Sequence, residues 1–221
     1  MSIQRQIEIL EPFVTENKKQ LIERVMAHRT RFLTVVLEDI HKPHNASAVL
    51  RTCECLGIQD VHTIERKNIY EVNPYVLRGA SKWLTLHHHR EYEPEESVGC
   101  VEWLEERGYE IVATTVDDDA EDPQYFDLTQ KTAICFGNED VGVSDKTLRR
   151  AKRRIKIPMR GFTESYNLSV SVAIVMNDLM RNLLLSKRPW GLSEEEKREL
   201  KLEWYKAVVK NSEIVLANLK Q

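Results

Sequence analysis

Gly137 and Gly142 stand five residues apart, and Ser144 follows two residues later. That is the glycine spacing of a loop whose backbone N–H groups cradle phosphates. Val143, however, occupies the position where such a loop needs its lysine. Glu139 and Asp140 would also place negative charge where the phosphates belong. A nucleoside triphosphate site is excluded on these grounds. The eight glycines nowhere form G-x-G-x-x-G, so the dinucleotide fingerprint is missing as well. What remains is a strand-to-helix turn with two acids and an asparagine, more polar chemistry than a turn requires.

His87-His88-His89 offers three imidazoles in a row. Neighbouring residues on a strand point to opposite faces, so three consecutive histidines do not bind one ion without distortion. No aspartate, cysteine or further histidine stands at ligand spacing nearby, and no metal is expected. Cys53 and Cys55 lie two apart on a predicted helix, do not face one another, and read as buried reduced thiols. The acidic run Asp117-Asp118-Asp119 with Glu121 and Asp122 has the ligands for Mg²⁺, but a solvated loop is the simpler reading.

The basic residues are more informative. Lys146, Arg149, Arg150, Lys152, Arg153, Arg154, Lys156 and Arg160 follow one another with no acid between them. Arg24, His28, Arg29 and Arg31 add a second patch, and His44 stands near the candidate chemistry. Clustered cations neutralise phosphates and release counterions, the footprint of RNA or DNA binding. Lys plus Arg total 32 against 35 Asp plus Glu, a net charge of −3. The sum argues against a nucleic-acid partner; the distribution overrules it.

These residues need a frame to hold them. At 221 residues, with 42% hydrophobic and 30% charged side chains, the chain can build a packed core with a solvated surface. Its longest uncharged stretch around the apolar segment, Ser165 to Asn177, is 13 residues, against the ~20 that span a bilayer. No charged start followed by an apolar run is visible, so no secretory leader or membrane association is expected. Four scattered cysteines fit a reducing cytoplasm.

Strand and helix patterns alternate. Leu33–Leu37 is a continuous apolar run, as in a strand buried on both faces. Asp60–Ile64, Trp83–Leu86, Glu110–Thr115, Thr132–Phe136 and Arg154–Ile157 are further strand candidates. Helical patterns cover Asn45–Leu56 up to Gly57, Ser97–Arg107 up to Gly108, Ser144–Lys152 with Ser144 as N-cap, and the apolar Asn167–Leu185. The expected class is α/β, a mostly parallel sheet covered by helices. Thr15–Arg29 reads as a polar helix at the start. After Pro189-Trp190-Gly191, a capping box from Ser193 to Glu196 opens a last helix running to Asn218. Its stripe of Trp204, Val208, Val215 and Leu219 is expected to pack against the main domain.

Three segments in this order resemble the motifs of the SpoU/TrmH RNA ribose methyltransferases, in the SPOUT superfamily. They are Asn45-Ala-Ser-Ala-Val-Leu-Arg51 through Gly57, Phe136-Gly-Asn-Glu139 through Ser144, and Ile157-Pro-Met-Arg-Gly161 through Ala173. The third motif usually reads Ser-Leu-Asn, and here Tyr166 replaces the leucine. The resemblance implies a domain over residues 31–186 with a C-terminal deep trefoil knot, between helical extensions at 1–30 and 187–221. It implies S-adenosylmethionine as cofactor, a homodimer, and contacts to the cofactor from Thr115, Val116, Gly137, Ile157 and Tyr166. Asn45, Arg51, Glu139, Ser165 and Asn167 would form the catalytic centre. Arg24, His28, Arg29, Arg31, His44, Arg149, Arg150, Arg153 and Arg160 would meet RNA. The helical extensions look like those of enzymes that methylate guanosine 18 in the tRNA D-loop. Ribosomal RNA or a wobble nucleotide is the alternative substrate, and an RNA-binding protein without catalysis the remote one.

Methyl transfer from a sulfonium to a 2′-hydroxyl is an in-line displacement that needs alignment and removal of a weakly acidic proton. The resemblance gives that proton to Arg51, but a guanidinium is a poor free base. Either Arg51 loses a proton in the assembled site, or it stays charged, holds the target phosphate and lets that phosphate accept the proton. Glu139 and Asn45 are expected to orient the guanidinium by hydrogen bonds. For Asn45 and Asn167, helix capping is the competing role.

Overall fold

The apolar run Leu33–Leu37 becomes the first strand, β1 (Leu33–Glu38), with all six residues buried. The computed structural model describes residues 1–77, 79–91 and 99–218. Within them β1 joins β2 (Asp60–Glu65), β3 (Thr85–Arg90), β4 (Glu110–Thr114), β5 (Thr132–Phe136) and β6 (Arg153–Ile155) in one sheet. The order is β3-β2-β1-β5-β4-β6 and every pairing is parallel. The chain therefore builds outward from β1 in one direction and then reverses. Such a reversal opens a crevice at the carboxyl ends of the strands.

The helices follow in chain order: α1 (Ile3–Leu10), α2 (Glu16–Met26), α3 (Pro43–Leu56), α4 (Pro74–Leu77), α5 (Cys100–Glu106), α6 (Asp145–Arg150), α7 (Leu168–Leu185), α8 (Glu194–Val208) and α9 (Ser212–Asn218). Two compact units result. Arg31–Trp190 holds the sheet, and Met1–Thr30 joins Gly191–Gln221. In the sheet unit, α3 starts with Pro43 at its first turn, where a missing N–H costs nothing. It stops at Gly57, whose φ of 82° is a left-handed conformation that favours glycine.

The helix α7 is long and apolar enough to cross a membrane by length and composition. Here it is a core helix: Leu168, Val172, Val175, Met176, Leu179, Met180 and Leu183 are buried, and it packs along α3. Each such side chain contributes about 1.5–3 kcal/mol on burial.

The third strand departs from expectation. Trp83 closes a 3₁₀ turn, and the strand is Thr85–Arg90, which contains all three histidines. An edge strand has one unpaired side and tolerates polar residues; His88 and Arg90 are exposed. The start of the helix expected at Ser97 lies outside the described residues, and α5 begins at Cys100. The helix after Ser144 ends at Arg150, two residues early.

The terminal unit also differs. Helix α1 has no counterpart among the expected elements; Ser2 caps it by accepting from the Arg5 N–H. The single last helix is two, α8 and α9, separated at Asn211, whose φ is 57°. Ser193 and Glu196 do form the capping box. The buried face of this segment is Leu200, Leu202, Trp204, Tyr205, Val209 and Leu216, packed on α1 and α2 of the same unit. Val208 and Val215 are half-buried, and Leu219 lies outside the described residues.

Candidate active site

The loop from Gly137 to Ser144 leaves β5 and enters α6, and its shape follows from its residues. Asn138 bridges Gly142 in a tight return, and the Asp140 N–H bonds to the Asn138 side-chain oxygen at 2.8 Å. Gly142 has a φ of 73°. At Gly137 a Cβ would lie 2.0 Å from the Gly142 carbonyl carbon and 2.1 Å from the Val143 nitrogen, so no side chain fits. The turn is held from outside as well. Asn138 donates to the Asp39 carbonyl at 2.9 Å, and the Ser144 N–H donates to Glu38 at 3.2 Å.

Asp39, just after β1, was not singled out from the sequence. Its φ of 56° is rare for a residue with a side chain, though Asp and Asn adopt it most readily. Its carboxylate accepts the N–H groups of Arg66, Lys67 and Asn68 at 3.2, 2.8 and 2.8 Å. Burial opposes its ionisation, but these N–H groups and Arg66 win and hold its pKa below the ordinary value. Arg66 itself pairs with the buried Glu38 and with Glu91, and donates to Ser144 at 2.7 Å. The carboxyl ends of β1, β2 and β5 are thus tied into one rigid rim.

On this rim three distant residues meet. Asn167, the N-cap of α7, donates to the Asn45 side-chain oxygen at 3.2 Å. Asn45, in the first turn of α3 and 5% exposed, donates in turn to Glu139. The other Glu139 oxygen is buried without a hydrogen-bond partner among the described residues, with the His41 ring 3.6 Å away. Asn167 also accepts the Ser169 N–H at 2.9 Å, so it caps α7 and bonds to Asn45 at once.

Next to this chain of amides lies a cavity of about 720 Å³ at the carboxyl ends of β4, β5 and β6. Thr115, Val116, Gly137, Ile157 and Tyr166, the five residues expected to meet a cofactor, all line it. So do Glu139, Ser165 and Asn167 of the expected catalytic set. Segments far apart in sequence supply these walls.

Arg51 is elsewhere. It is exposed on α3 and lines a second cavity, with Ala48 and Thr52 on one side and Ala173 and Asn177 of α7 on the other. Among the described residues it has no hydrogen-bond or ion-pair partner. The expectation that Glu139 and Asn45 orient its guanidinium is not met within one chain. Six residues along a helix are a rise of about 9 Å and a turn of about 240°, so Asn45 and Arg51 face different ways.

The basic run also changes character in three dimensions. Arg154 pairs with Asp117 at 2.8 Å, Lys156 with Asp118 at 2.6 Å and Arg153 with Glu121 at 2.6 Å. Arg150 pairs with Glu102 and Glu105, and Lys146 with Glu91. The acidic run read as a solvated loop is therefore the partner of the basic one. Arg149, Lys152 and Arg160 are exposed and have no carboxylate partner among the described residues. Arg29, expected to meet RNA, is 1% exposed and lies 5.4 Å from the Trp204 ring, so it is a core residue of its unit. Arg31 pairs with Asp60 at 3.1 Å. Arg24, His28 and His44 are exposed. Cys53 is buried as expected, whereas Cys55 is exposed; neither is bridged.

Comparison with known proteins adds an independent line. The model of the SpoU rRNA methylase family matches residues 32–177. A protein of Borreliella burgdorferi named tRNA (guanosine(18)-2'-O)-methyltransferase is 42% identical over 211 residues, 96% of this chain and 94% of that one. A Thermus thermophilus protein of the same name is 37% identical over 77% of this chain and 85% of its own. Among solved structures, the Aquifex aeolicus TrmH/SpoU tRNA modifying enzyme superposes with a TM-score of 0.75 at 27% identity. That match covers 89% of this chain and 98% of the other.

Proposed function

The chain belongs to the SpoU rRNA methylase family, and from that premise we propose that it methylates the ribose 2′-hydroxyl of guanosine 18 in tRNA, with S-adenosylmethionine as donor. One observation carries the choice of nucleotide. The likeness to the Borreliella guanosine-18 enzyme runs through both helical termini, well past the 32–177 of the family as a whole.

S-adenosylmethionine, when bound, supplies a methyl group activated by a sulfonium. The cavity suits it: about 720 Å³ lies within the usual range for a ligand of this size. Its walls fit too, because at Gly137 the loop closes so tightly on itself that only a bare backbone can line the cavity there. Thr115, Val116, Gly137, Ile157 and Tyr166 would hold the cofactor, largely through backbone groups. A C-terminal trefoil knot belongs to the same reading, supported by the convergence of segments 114–117, 136–143 and 155–168 on one cavity.

The Asn167–Asn45–Glu139 chain fixes the Glu139 carboxylate beside that cavity. Ser165 lines the same space. The free Glu139 oxygen lacks the donor that a buried carboxylate oxygen needs. Arg51 is such a donor, and it stands on the α3–α7 face. Our reading joins the two through a homodimer: the α3–α7 face meets a second copy, and Arg51 of one protomer enters the site of its partner. Exposed apolar side chains on α7, Val170, Leu184 and Leu185, support burial there. In that site the guanidinium grips the target phosphate and stabilises the developing alkoxide. Arg149, Lys152 and Arg160, with Arg24, His28 and His44, supply positive charge for tRNA. Four unbridged cysteines accord with a cytoplasmic enzyme.

The test is direct. The full chain is incubated with S-adenosylmethionine and a tRNA transcript, and ribose methylation is mapped nucleotide by nucleotide. Protection from alkaline cleavage at guanosine 18, lost when that base is changed to adenosine, is expected. Methylation of a wobble nucleotide or of ribosomal RNA instead would overturn the substrate assignment. No methylation of any RNA would overturn the enzymatic one.

A further inference from the structure

The sheet has a second cluster of chemistry, at its β2–β3 edge and away from the cavity. Parallel register pairs His62 with His87 and Ile64 with His89. Alternation along β3 then puts His87 and His89 on the face of His62, while His88 points the other way to Thr63 and Glu65. The N-terminus of α5 covers that face with Cys100 and Trp103. His62 is 1% exposed and Cys100 fully buried. His62 Nδ1 and His89 Nε2 lie 3.1 Å apart. With Cys100 Sγ they form a triad whose ligand atoms are all within 4.8 Å of one another.

We propose that His62, His89 and Cys100 are a binding site for a divalent metal ion of the Zn²⁺ class, tying β2, β3 and α5 together. Zn²⁺ takes nitrogen at about 2.0–2.1 Å and sulfur at about 2.3 Å, which sets tetrahedral ligand atoms roughly 3.3–3.6 Å apart. The two imidazoles already stand close to that separation, and the Cys100 sulfur lies within 4.8 Å of both. Two imidazoles and one thiol favour a borderline-soft ion over Mg²⁺ or Ca²⁺. Three protein ligands leave a fourth position for water. Binding then forms one metal–sulfur bond and two metal–nitrogen bonds and releases the single Cys100 proton to solvent.

The surroundings serve the ligands. His87 stacks on His62 with ring centroids 4.4 Å apart and its Nε2 3.6 Å from Asp60, which fixes the His62 ring plane. Glu91 accepts the Cys100 N–H at 2.9 Å and is itself held by Arg66 and Lys146. None of the triad lines the 720 Å³ cavity, so the site is separate from the methyl-transfer reading.

The full chain, stripped with chelator, is titrated with Co²⁺ as an optical stand-in. We expect one ion per chain, a thiolate-to-cobalt charge-transfer band in the near ultraviolet, displacement by one equivalent of Zn²⁺, and a rise in Tm with Zn²⁺. Cys100→Ser should abolish the charge-transfer band. His89→Gln should keep a band but weaken Co²⁺ binding at least about tenfold. Cys55→Ser, which alters the exposed thiol, should change neither. Absence of the band in the unsubstituted chain, or a band lost with Cys55 and kept without Cys100, would overturn the proposal. Should Cys100→Ser fail to fold, the half-buried His89 decides: unchanged affinity in His89→Gln overturns it.

Discussion

The side-chain amide of Asn167 donates to the side-chain oxygen of Asn45 at 3.2 Å, across 122 positions of the chain. Because Asn167 offers its nitrogen, Asn45 must present oxygen to it and nitrogen to Glu139. The polarity of the chain is fixed at both ends. Asn45→Asp is nearly isosteric but removes the amide that donates to Glu139 and sets a second carboxylate against it. We expect a loss of about 1–3 kcal/mol in stability, the cost of an unpaired buried polar group. Methyl transfer should fall far more than cofactor affinity, since the cavity walls are untouched. Equal unfolding free energies for the two chains in urea would show that the hydrogen bond contributes nothing to stability.

The ion-pair ladder sorts the basic residues by job. Arg153 has a two-pronged contact to Glu121 and its guanidinium carbon 3.6 Å from the Phe126 ring centroid, so it is occupied. Among the described residues, Arg149, Lys152 and Arg160 have no carboxylate partner. Changing the latter three to Glu should weaken tRNA binding and flatten its dependence on salt. The log–log slope should drop by about 0.9 for each duplex phosphate that is no longer neutralised. Arg153→Glu should instead lower Tm and leave the slope nearly as it was. The reverse pattern in a filter-binding titration would return the RNA surface to the paired residues.

Asp39 makes a prediction about pH. Its pKa is lowered in the folded protein, so the stability it contributes is complete above the unfolded carboxylate value, near 4. It is lost as pH falls through the lower, folded value. Asp39→Asn keeps an acceptor oxygen and tolerates the positive φ, but carries no such titration. The stability gap between the two proteins should be largest near neutrality and close as pH falls below about 4 through the lowered folded value. Asp39→Ala removes the acceptor for three N–H groups and should cost about 1–3 kcal/mol at any pH above that window. A gap that stays constant under acid would show that Asp39 does not anchor the rim through its charge.

What could be read from the residues divides along a physical line. Local signals held: apolar runs gave strands, Gly57 and Asn167 marked helix ends, and the second and third motifs marked loops that meet at the cavity. Long-range pairing was invisible. The acids at 117–121 and the bases at 153–156 look like two patches in sequence and are one ladder in space. The histidine triplet looks unfit for a metal until strand register supplies His62 and a helix supplies Cys100. Composition alone did not reveal that Arg29 is buried, because a guanidinium beside Trp204 satisfies a core that its neighbours do not announce.

Arg51 allows the sharpest experiment, because it faces the α3–α7 groove while Glu139 faces the cavity. Arg51→Ala should reduce methyl transfer roughly a thousandfold or more, about 4 kcal/mol, with cofactor binding intact. Arg51→Lys should also fail, because an ammonium cannot grip phosphate in the planar two-pronged way. Turnover by Arg51→Lys within about tenfold of the unsubstituted enzyme would reduce the requirement to a point charge. The decisive step mixes two inactive proteins, Arg51→Ala and Glu139→Ala, under conditions that exchange subunits. If Arg51 serves the partner's site, half the dimers are mixed and each has one site with neither defect. Activity should then return to about a quarter of that of the unsubstituted enzyme. If Arg51 serves its own site, every mixed dimer carries one defect in each site and no activity returns. That outcome would end the shared-site reading and place Arg51 with its own Glu139 after a rearrangement of α3.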